Sequence, residues 1–242
     1  MNLILTNDDG IQAPGLAALE AACRGWSLPL VAAPDRCHSS MSHRVTTATP
    51  ILVTEAGQNR FQIDGSPADC ARIALTELTP GADWLISGIN LGANLGVDTY
   101  LSGTVAAARE AALLGTPAIA ISQYIARGLQ PDWPVTVARA RNVLQILLAQ
   151  ALAPGEFWNV NLPHLPESAP EPQVLFCLLD PSPLPVSFRR TGSSYRYSGD
   201  YHSRTRLPGH DVALCFAGAI TVTRMAITGG SHTGCNHVSG IL

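Results

Sequence analysis

The 242-residue sequence contains no lysine, since all 15 of its basic residues are arginine. A P-loop kinase uses the lysine of its phosphate-binding loop, and a Schiff-base or pyridoxal-phosphate enzyme uses a lysine amine. Both classes are therefore excluded in their usual forms. Charged residues are also scarce, at 14%, and the formal net charge is -3. Because nucleic-acid-binding surfaces normally carry a basic excess, we expect no stable nucleic-acid partner.

Paired cysteine motifs, long apolar runs and a targeting signal are lacking as well. The six cysteines form no C-x-x-C pair of the kind found in zinc ribbons. Six in a chain of this length are also too few for a disulfide scaffold. No stretch of about 20 apolar residues is present to span a bilayer. The residues before Asp8 have neither a basic start nor a long apolar core, so we expect no signal peptide, no membrane association and a cytoplasmic location.

What the sequence does contain is an alternation of short apolar runs and amphipathic segments through residue 161. Hydrophobic residues make up 46% of the chain, which is enough for a sizeable core. Strands are predicted at residues 3–6, 28–33, 84–87, 118–122 and 157–161, and helices from Pro14, Ala68, Thr104 and Val135. The second helix should run to about Leu78, with Ser66 as N-cap and Pro67 at its first position. The last helix should place Val143, Ile146 and Leu147 on one side. Alternating strands and helices predict an α/β fold: a Rossmann-like three-layer sandwich with a mostly parallel sheet.

The last third of the chain has a different pattern. Proline is frequent from Pro163 to Pro185, which favours loops or an extended arm over core helices. The residues that follow alternate weakly, and 219–225 is the best predicted strand there. We therefore divide the chain into an α/β catalytic core, residues 1–165, and a β-rich extension, residues 166–242. The extension is interpreted as an oligomerisation arm packed on the same domain.

Polar segments follow three of the predicted strands, at residues 7–10, 35–42 and 87–94. Sites in parallel α/β sheets form at the carboxyl ends of strands, so the three segments are expected to meet. They supply two carboxylates, hydroxyls and amides, an oxygen-only set that suits Mg²⁺ or Mn²⁺. The adjacent carboxylates of Asp8 and Asp9 repel each other, and a divalent cation removes that cost. The alternative is that Asp8 caps the helix after Gly10 while Asp9 is solvated.

A second feature is the Ser102-Gly103-Thr104 run, which opens a predicted alanine-rich helix. Free N–H groups at a helix start bind anions, and the helix dipole adds to the attraction. The alternative is an ordinary Ser or Thr N-cap without a ligand. A cation site beside a phosphate held at a helix N-terminus is an arrangement for phosphoryl transfer.

Other polar residues are weaker candidates for a site. His38 and His43 lie in the serine-rich loop and are interpreted as solvated, with substrate contact as the alternative. The basic residues of the last third are interpreted as a solvated face rather than as phosphate ligands, and its histidines show no metal-ligand spacing. These are Arg189, Arg190, Arg204, Arg206, His202, His210, His232 and His237.

Five motifs, in their order and spacing, resemble those of the SurE nucleotidase family. They cover roughly the first half of the chain, and together they are very specific. The motifs are residues 4–15 (ILTNDDGIQAPG), 33–36 (APDR), 64–70 (DGSPADC), 87–96 (SGINLGANLG) and 102–108 (SGTVAAA).

The resemblance implies a Rossmann-like phosphatase that hydrolyses nucleoside 5′- and 3′-monophosphates, with some activity on short polyphosphate. It implies one divalent cation per subunit, Mg²⁺ or Mn²⁺, and homodimers or homotetramers that exchange a C-terminal arm. The implied metal ligands are Asp8, Asp9, Ser39 and Asn90, and the implied phosphate contacts are Asn94, Ser102, Gly103 and Thr104.

The sequence departs from the family pattern at three places. Val97 and Asp98 stand where the family often has two acidic residues, and Leu101 separates Tyr100 from Ser102. Residues 223–228 lack the proline and aspartate usual in the family's late strand. The metal ligands are untouched, so the departures concern oligomer contacts and substrate residues from the last third.

We expect in-line attack of water on a phosphomonoester, with Asp8 assisting the water and Asp9 mainly a ligand. Asn94 and the helix N-terminus would stabilise the developing charge. Three rivals are disfavoured. A haloacid-dehalogenase phosphatase needs Asp-x-Asp and a lysine, whereas this chain has adjacent aspartates and no lysine. A receiver domain is shorter and also uses a lysine. A dinucleotide-binding module needs G-x-G-x-x-G after a strand, and no predicted strand here is followed by that motif.

Overall fold

The computed structural model describes residues 1–26 and 28–227, so Cys235, His232 and His237 lie outside the described residues. Eleven strands follow one another along this part of the chain. They are β1 (Leu3–Thr6), β2 (Leu30–Pro34), β3 (Val53–Gly57), β4 (Arg60–Ile63), β5 (Trp84–Leu91), β6 (Ala118–Gln123), β7 (Glu156–Leu162), β8 (Val174–Phe176), β9 (Phe188–Thr191), β10 (Ser194–Tyr197) and β11 (Ile220–Ala226). The α-helices are α1 (Pro14–Cys23), α2 (Pro67–Ile73), α3 (Gly103–Leu113), α4 (Trp133–Leu147) and α5 (Asp211–Phe216).

Nine of these strands form one sheet in the order β3-β4-β2-β1-β5-β6-β7-β11-β8. The six neighbouring strands from β4 to β7 are all parallel. β3 and β11 pair antiparallel with β4 and β7, and β9 and β10 form a separate antiparallel hairpin. The predicted mostly parallel α/β sheet is therefore confirmed, and the C-terminal part adds the antiparallel strand β11 and a separate hairpin.

Apolar side chains cover both faces of the sheet. Alternate residues of a strand point to opposite faces, so Leu5 and Ile86 join one buried cluster with α1 and α4. Their neighbours Ile4 and Leu85 join the other cluster, with α2 and α3. The two clusters make the three layers, and they leave the carboxyl ends of the strands free for polar residues. Among the described helices, none is long and apolar enough to cross a membrane.

The helix starts follow local sequence signals. Ser66 and Asp69 form a capping box at α2, in which Ser66 Oγ accepts from the Asp69 N–H at 3.1 Å and Asp69 Oδ2 accepts from the Ser66 N–H at 2.9 Å. Pro67 takes the first helical position, as predicted. The predicted extension of this helix to Leu78 differs in detail, because α2 ends at Ile73 and residues 74–78 form a π-helical turn.

The central strand β5 is longer than predicted. The Gly/Asn-rich sequence after Ser87 indicates a loop, yet β5 continues to Leu91 with a register shift against β6 between Ser87 and Asn90. Gly88 makes this path possible: its φ is +145°, and a Cβ there would lie 2.2 Å from the Ile121 carbonyl oxygen. Asn90 therefore lies near the carboxyl end of this central strand.

Residues beyond 165 belong to the same sheet. β11 pairs with β7 on one side and with β8 on the other, so the predicted extension supplies two strands of the central layer. The boundary at residue 165 stays a prediction.

Candidate active site

A polar cavity of about 240 Å³ lies at the carboxyl ends of β1, β2 and β5, beside the start of α3. All three polar segments singled out in the sequence contribute to it. The cavity is lined by Asp8, Ser39, Ser40, Asn90, Leu91, Asn94, Asp98, Leu101 and Ser102. Asp9, Gly103 and Thr104 lie beside the cavity and do not line it.

Asp8 is placed by the turn that follows β1. The Asn7 side chain closes this turn, since its Nδ2 donates to the Gly10 carbonyl at 2.9 Å and its Oδ1 accepts from the Gly10 N–H at 3.2 Å. Gly10 has a φ of +102° and packs on the backbone of Arg36. The His38 N–H donates to the Asp8 carbonyl at 2.7 Å. These contacts hold the loops after β1 and β2 together.

The start of α3 packs directly on the Asp8 side chain. Thr104 Oγ1 donates to Asp8 Oδ1 at 2.5 Å, and a Cβ on Gly103 would lie 2.9 Å from Asp8 Cβ. Only a glycine lets the helix come this close. The alternative that Asp8 caps α1 is wrong, because the N-cap of that helix is Ala13.

The two adjacent carboxylates are electrostatically unfavourable in the folded chain. Burial raises the pKa of Asp8 to about 6. The Thr104 hydrogen bond opposes this rise, and the Asp9 charge adds to it. Burial also raises the pKa of Asp9, although a hydrogen bond from the Leu91 N–H opposes the shift. Within residues 1–26 and 28–227, no arginine or histidine nitrogen lies within 4.0 Å of either carboxylate. This pair therefore lacks a compensating cation from the described chain.

Neutral oxygen donors complete the surroundings of Asp8. Ser39 is exposed, and its Oγ lies 2.9 Å from Cys37 Sγ. The Asn90 Nδ2 donates to the Gly92 carbonyl at 2.7 Å, which orients the amide. In the described ranges, no three His, Cys, Asp or Glu side chains are grouped as metal ligands. Two carboxylates with a hydroxyl and an amide oxygen match a hard cation such as Mg²⁺ or Mn²⁺.

Asn94 is held by residues that the sequence prediction missed. Its N–H donates to Asn161 Oδ1 at 2.8 Å, and its Nδ2 donates to Ser122 Oγ at 2.8 Å. The Asn94 carbonyl accepts from the side chains of Asn159 and Asn161 at 2.9 and 3.0 Å. A signal was present, because two asparagines spaced by two residues put their amides on one face of an otherwise apolar strand.

The phosphate prediction centres on the start of α3. Ser102 is the N-cap, and its Oγ accepts from the Val105 N–H at 3.1 Å. The ordinary capping role is thus present, and the Ser102 hydroxyl also lines the cavity. The Thr104 side chain is fully buried and bonded to Asp8. The start of this 11-residue helix points its dipole toward the region around Asp8.

The serine-rich loop is anchored by a histidine that was interpreted as solvated. His43 Nε2 lies 2.6 Å from Glu110 Oε2, and Arg72 Nε donates to the other Glu110 oxygen at 2.5 Å. The Glu110 side chain is buried on α3. The solvated interpretation of His43 is therefore wrong. Its loop is attached to the same helix that contacts Asp8.

The interpretation of Arg204 as part of a solvated face is also wrong. Its side chain is only 1% exposed, and Nη1 donates to Asp98 Oδ2 at 2.6 Å. Arg189 and Arg190 are exposed on β9, as predicted. The buried arginine could not be told from the exposed ones by its sequence neighbours.

Comparison with known proteins decides the family. The family model described as "Survival protein SurE" matches residues 3–177. The chain belongs to the SurE family. A Synechocystis sp. relative with a provisional 5′-nucleotidase name is 48% identical over 94% of this chain and 100% of its own.

More distant relatives agree with this assignment. The "5′-nucleotidase SurE" of Pelobacter propionicus is 41% identical over 72% of this chain and 71% of its own. The crystal structure of the SurE protein from Aquifex aeolicus superposes with a TM-score of 0.83 at 26% identity, covering 96% of this chain and 95% of that one.

Proposed function

We propose that this SurE-family chain is a metal-dependent phosphomonoesterase that hydrolyses nucleoside 5′- and 3′-monophosphates to nucleoside and phosphate. The observation that carries the proposal is the uncompensated Asp8–Asp9 pair, one member of which lines a polar cavity beside the N-terminus of α3. The 5′-nucleotidase names of the relatives support the nucleotide as substrate. The metal dependence is supported by the carboxylate pair, and the 3′ activity is inferred from the family resemblance.

One divalent cation, Mg²⁺ or Mn²⁺, would be held by Asp8, Asp9, Ser39 and Asn90. When bound, it would polarise the phosphoryl group and lower the pKa of water. The raised carboxylate pKa values support this role, because a cation stabilises the ionised forms that burial disfavours.

The residues of the chain would then position and deprotonate water. In-line attack forms a phosphorus–oxygen bond to water and breaks the ester bond, and a water proton passes to the Asp8 carboxylate. The leaving alkoxide takes a proton from solvent. Asn94, the Ser102 hydroxyl and the first N–H groups of α3, at Gly103 and Thr104, would hold the phosphate and stabilise its charge. No covalent intermediate is needed.

Self-association and location belong to the same proposal. We propose a homodimer or homotetramer in the cytoplasm, assembled through the last third of the chain. The hairpin β9–β10 supports it, because Phe188, Tyr195 and Tyr197 are each more than half exposed there. Large exposed aromatic residues are enriched at protein interfaces.

The test is a phosphatase assay over 5′- and 3′-nucleoside monophosphates, with Mg²⁺, Mn²⁺ and EDTA arms. We expect activity only with metal, and a loss of roughly 10²–10⁴-fold in Asp8→Asn, the range for removal of a general base. Asp132→Asn is the matched control, because Asp132 caps α4 and asparagine caps equally well.

Two results would overturn the proposal. One is near-normal turnover in Asp8→Asn, and the other is full activity of the wild type in EDTA. A trapped phospho-aspartate would instead favour the haloacid-dehalogenase chemistry, in which the carboxylate itself attacks phosphorus.

A further inference from the structure

A second carboxylate, that of Asp98, lines the cavity together with Asp8. It lies between Asn94 and Ser102 in the chain, and all three line the same cavity. Its side chain is 12% exposed. An ionised carboxylate beside a phosphate subsite would repel the phosphate, and the repulsion is strong where water is excluded. The charge of Asp98 therefore has to be offset for the subsite to bind an anion.

Arg204 supplies that offset. Its Nη1 donates to Asp98 Oδ2 at 2.6 Å, and the Tyr201 hydroxyl donates to the same oxygen at 2.9 Å. The Arg204 guanidinium also stacks on the Tyr201 ring, 5.0 Å from its centroid. Arg204 belongs to the predicted extension, and it is 106 residues from Asp98 in sequence. A residue of the last third thus neutralises a charge in the cavity wall.

The same pair fixes the backbone that leads to α3. The Asp98 carbonyl accepts from the N–H groups of Leu101 and Ser102 at 2.9 and 3.1 Å. Arg204 Nη2 donates to the Leu95 carbonyl at 3.3 Å. The 3-10 turn at residues 96–100 is therefore tied at both ends, with the α3 N-cap directly after it.

A second contact joins the same turn to the last third. The Gly96 N–H donates to Asp211 Oδ2 at 2.7 Å, and Asp211 Oδ1 accepts from the Asp180 N–H at 2.8 Å. A Cβ on Gly96 would lie 2.5 Å from the Asp180 carbonyl oxygen. Burial raises the pKa of Asp211, and backbone hydrogen bonds and the Arg204 charge oppose the rise. The turn thus packs against the buried Asp180 and Asp211, and the Arg204 charge acts on both carboxylates.

We propose that Arg204 is a positioning residue for the phosphate subsite, acting through Asp98, whose charge it offsets and whose turn it holds. The proposal rests on the proposed phosphatase function, because it concerns the anion bound at the start of α3. Phosphate affinity would then depend on the last third of the chain, although none of its described residues, 166–227, lines the cavity.

The test combines Arg204→Gln, Asp98→Asn and the double variant. The readouts are the inhibition constant of inorganic phosphate and the KM and kcat for a nucleoside monophosphate, with Mn²⁺ present. We expect Arg204→Gln to raise the inhibition constant and KM roughly tenfold, within the range of coupled neighbours. The double variant should return the inhibition constant to within about threefold of wild type. A purely structural role predicts no such rescue.

Controls separate the possible outcomes. Arg206→Gln changes an exposed arginine of the same segment and should leave phosphate inhibition unchanged. A folded Arg204→Gln with normal phosphate inhibition, or a double variant as weak as Arg204→Gln, overturns the inference. If Arg204→Gln does not fold, Asp98→Asn decides: a lower inhibition constant supports the inference, and an unchanged or higher one overturns it. A wild type without phosphatase activity or phosphate inhibition would overturn the proposed function as well.

Discussion

Two groups of buried acidic residues stand close together in this molecule, and they are compensated differently. Asp8 and Asp9, after β1, have no described basic side chain within 4.0 Å, and the pKa of Asp8 is raised to about 6. Asp98, which lines the same cavity as Asp8, is paired with Arg204, whose charge also acts on the buried Asp180. Burial alone would raise the pKa of Asp180. Hydrogen bonds from Ser182 and Leu207, together with the Arg204 charge, nevertheless hold that pKa below its ordinary value.

This difference indicates which acidic group is suited to bind a cation from solution. Burying an unpaired charge is costly, so chains pair it, neutralise it or bind a metal. The group around Arg204 already contains its cation, and its hydrogen bonds are made within the described chain. Within residues 1–26 and 28–227, the Asp8–Asp9 pair has no such partner. We therefore interpret the group around Arg204 as structural support and propose the Asp8–Asp9 pair as the metal site.

The largest predicted stability effect comes from removing the internal cation. Arg204→Gln leaves Asp98 buried without its partner, so we expect unfolding free energy to fall by about 3–5 kcal/mol, the usual cost of breaking a buried pair. Urea denaturation measures the change. The control is Arg127→Gln, which breaks an exposed pair with Asp200 and should not move the midpoint measurably. A midpoint of Arg204→Gln equal to that of the control would contradict the interpretation.

Removing a charge from the other group should have the opposite sign. The raised folded pKa of Asp8 means that its ionisation opposes folding. The penalty is absent below about pH 4, grows as pH rises to about 6, and is complete above that. Without metal at pH 7.5, Asp8→Asn should therefore be more stable than wild type by about 1–3 kcal/mol.

Thermal unfolding at pH 4 and pH 7.5 checks the sign. The gain should be largely lost at pH 4, where Asp8 is protonated in the folded state and partly protonated in the unfolded state. Adding Mn²⁺ at pH 7.5 should stabilise wild type more than the variant. Asp132→Asn again serves as the control. If Asp8→Asn were less stable than wild type at pH 7.5 without metal, the carboxylate pair would not be an uncompensated charge.

Local patterns were sufficient for much of the fold. β1 and α1 were predicted correctly because an apolar run, a turn and Pro14 lie next to each other in sequence. The Ser66 cap and the Ser102 cap were likewise visible, since a cap is read from three or four neighbouring residues. The positions of Asp8 and Asn90 at strand ends follow from the α/β alternation itself.

Long-range contacts were not predictable from these patterns. Arg204 contacts Asp98 and His43 contacts Glu110 across 106 and 67 residues, and nothing local distinguishes either from a solvated residue. The side of α4 was only partly predicted, because Ile146 is 41% exposed although Val143 and Leu147 are buried. Helical spacing predicts the centre of the buried face, but packing against neighbouring elements determines which residues at its border are buried.

The smallest predicted effect concerns backbone strain in the cavity wall. Ser40 lines the cavity with a φ of +59°, a conformation that costs an L-residue about 1–2 kcal/mol and glycine little. Ser40→Gly should therefore raise the unfolding free energy by about 0.5–1 kcal/mol, after the entropy cost of glycine. Asn59→Gly is the matched control, because Asn59 has a φ of +54° in the β3–β4 turn and asparagine tolerates it. Equal gains at both positions in urea denaturation would show that the loop around Ser40 carries no more strain than an ordinary turn.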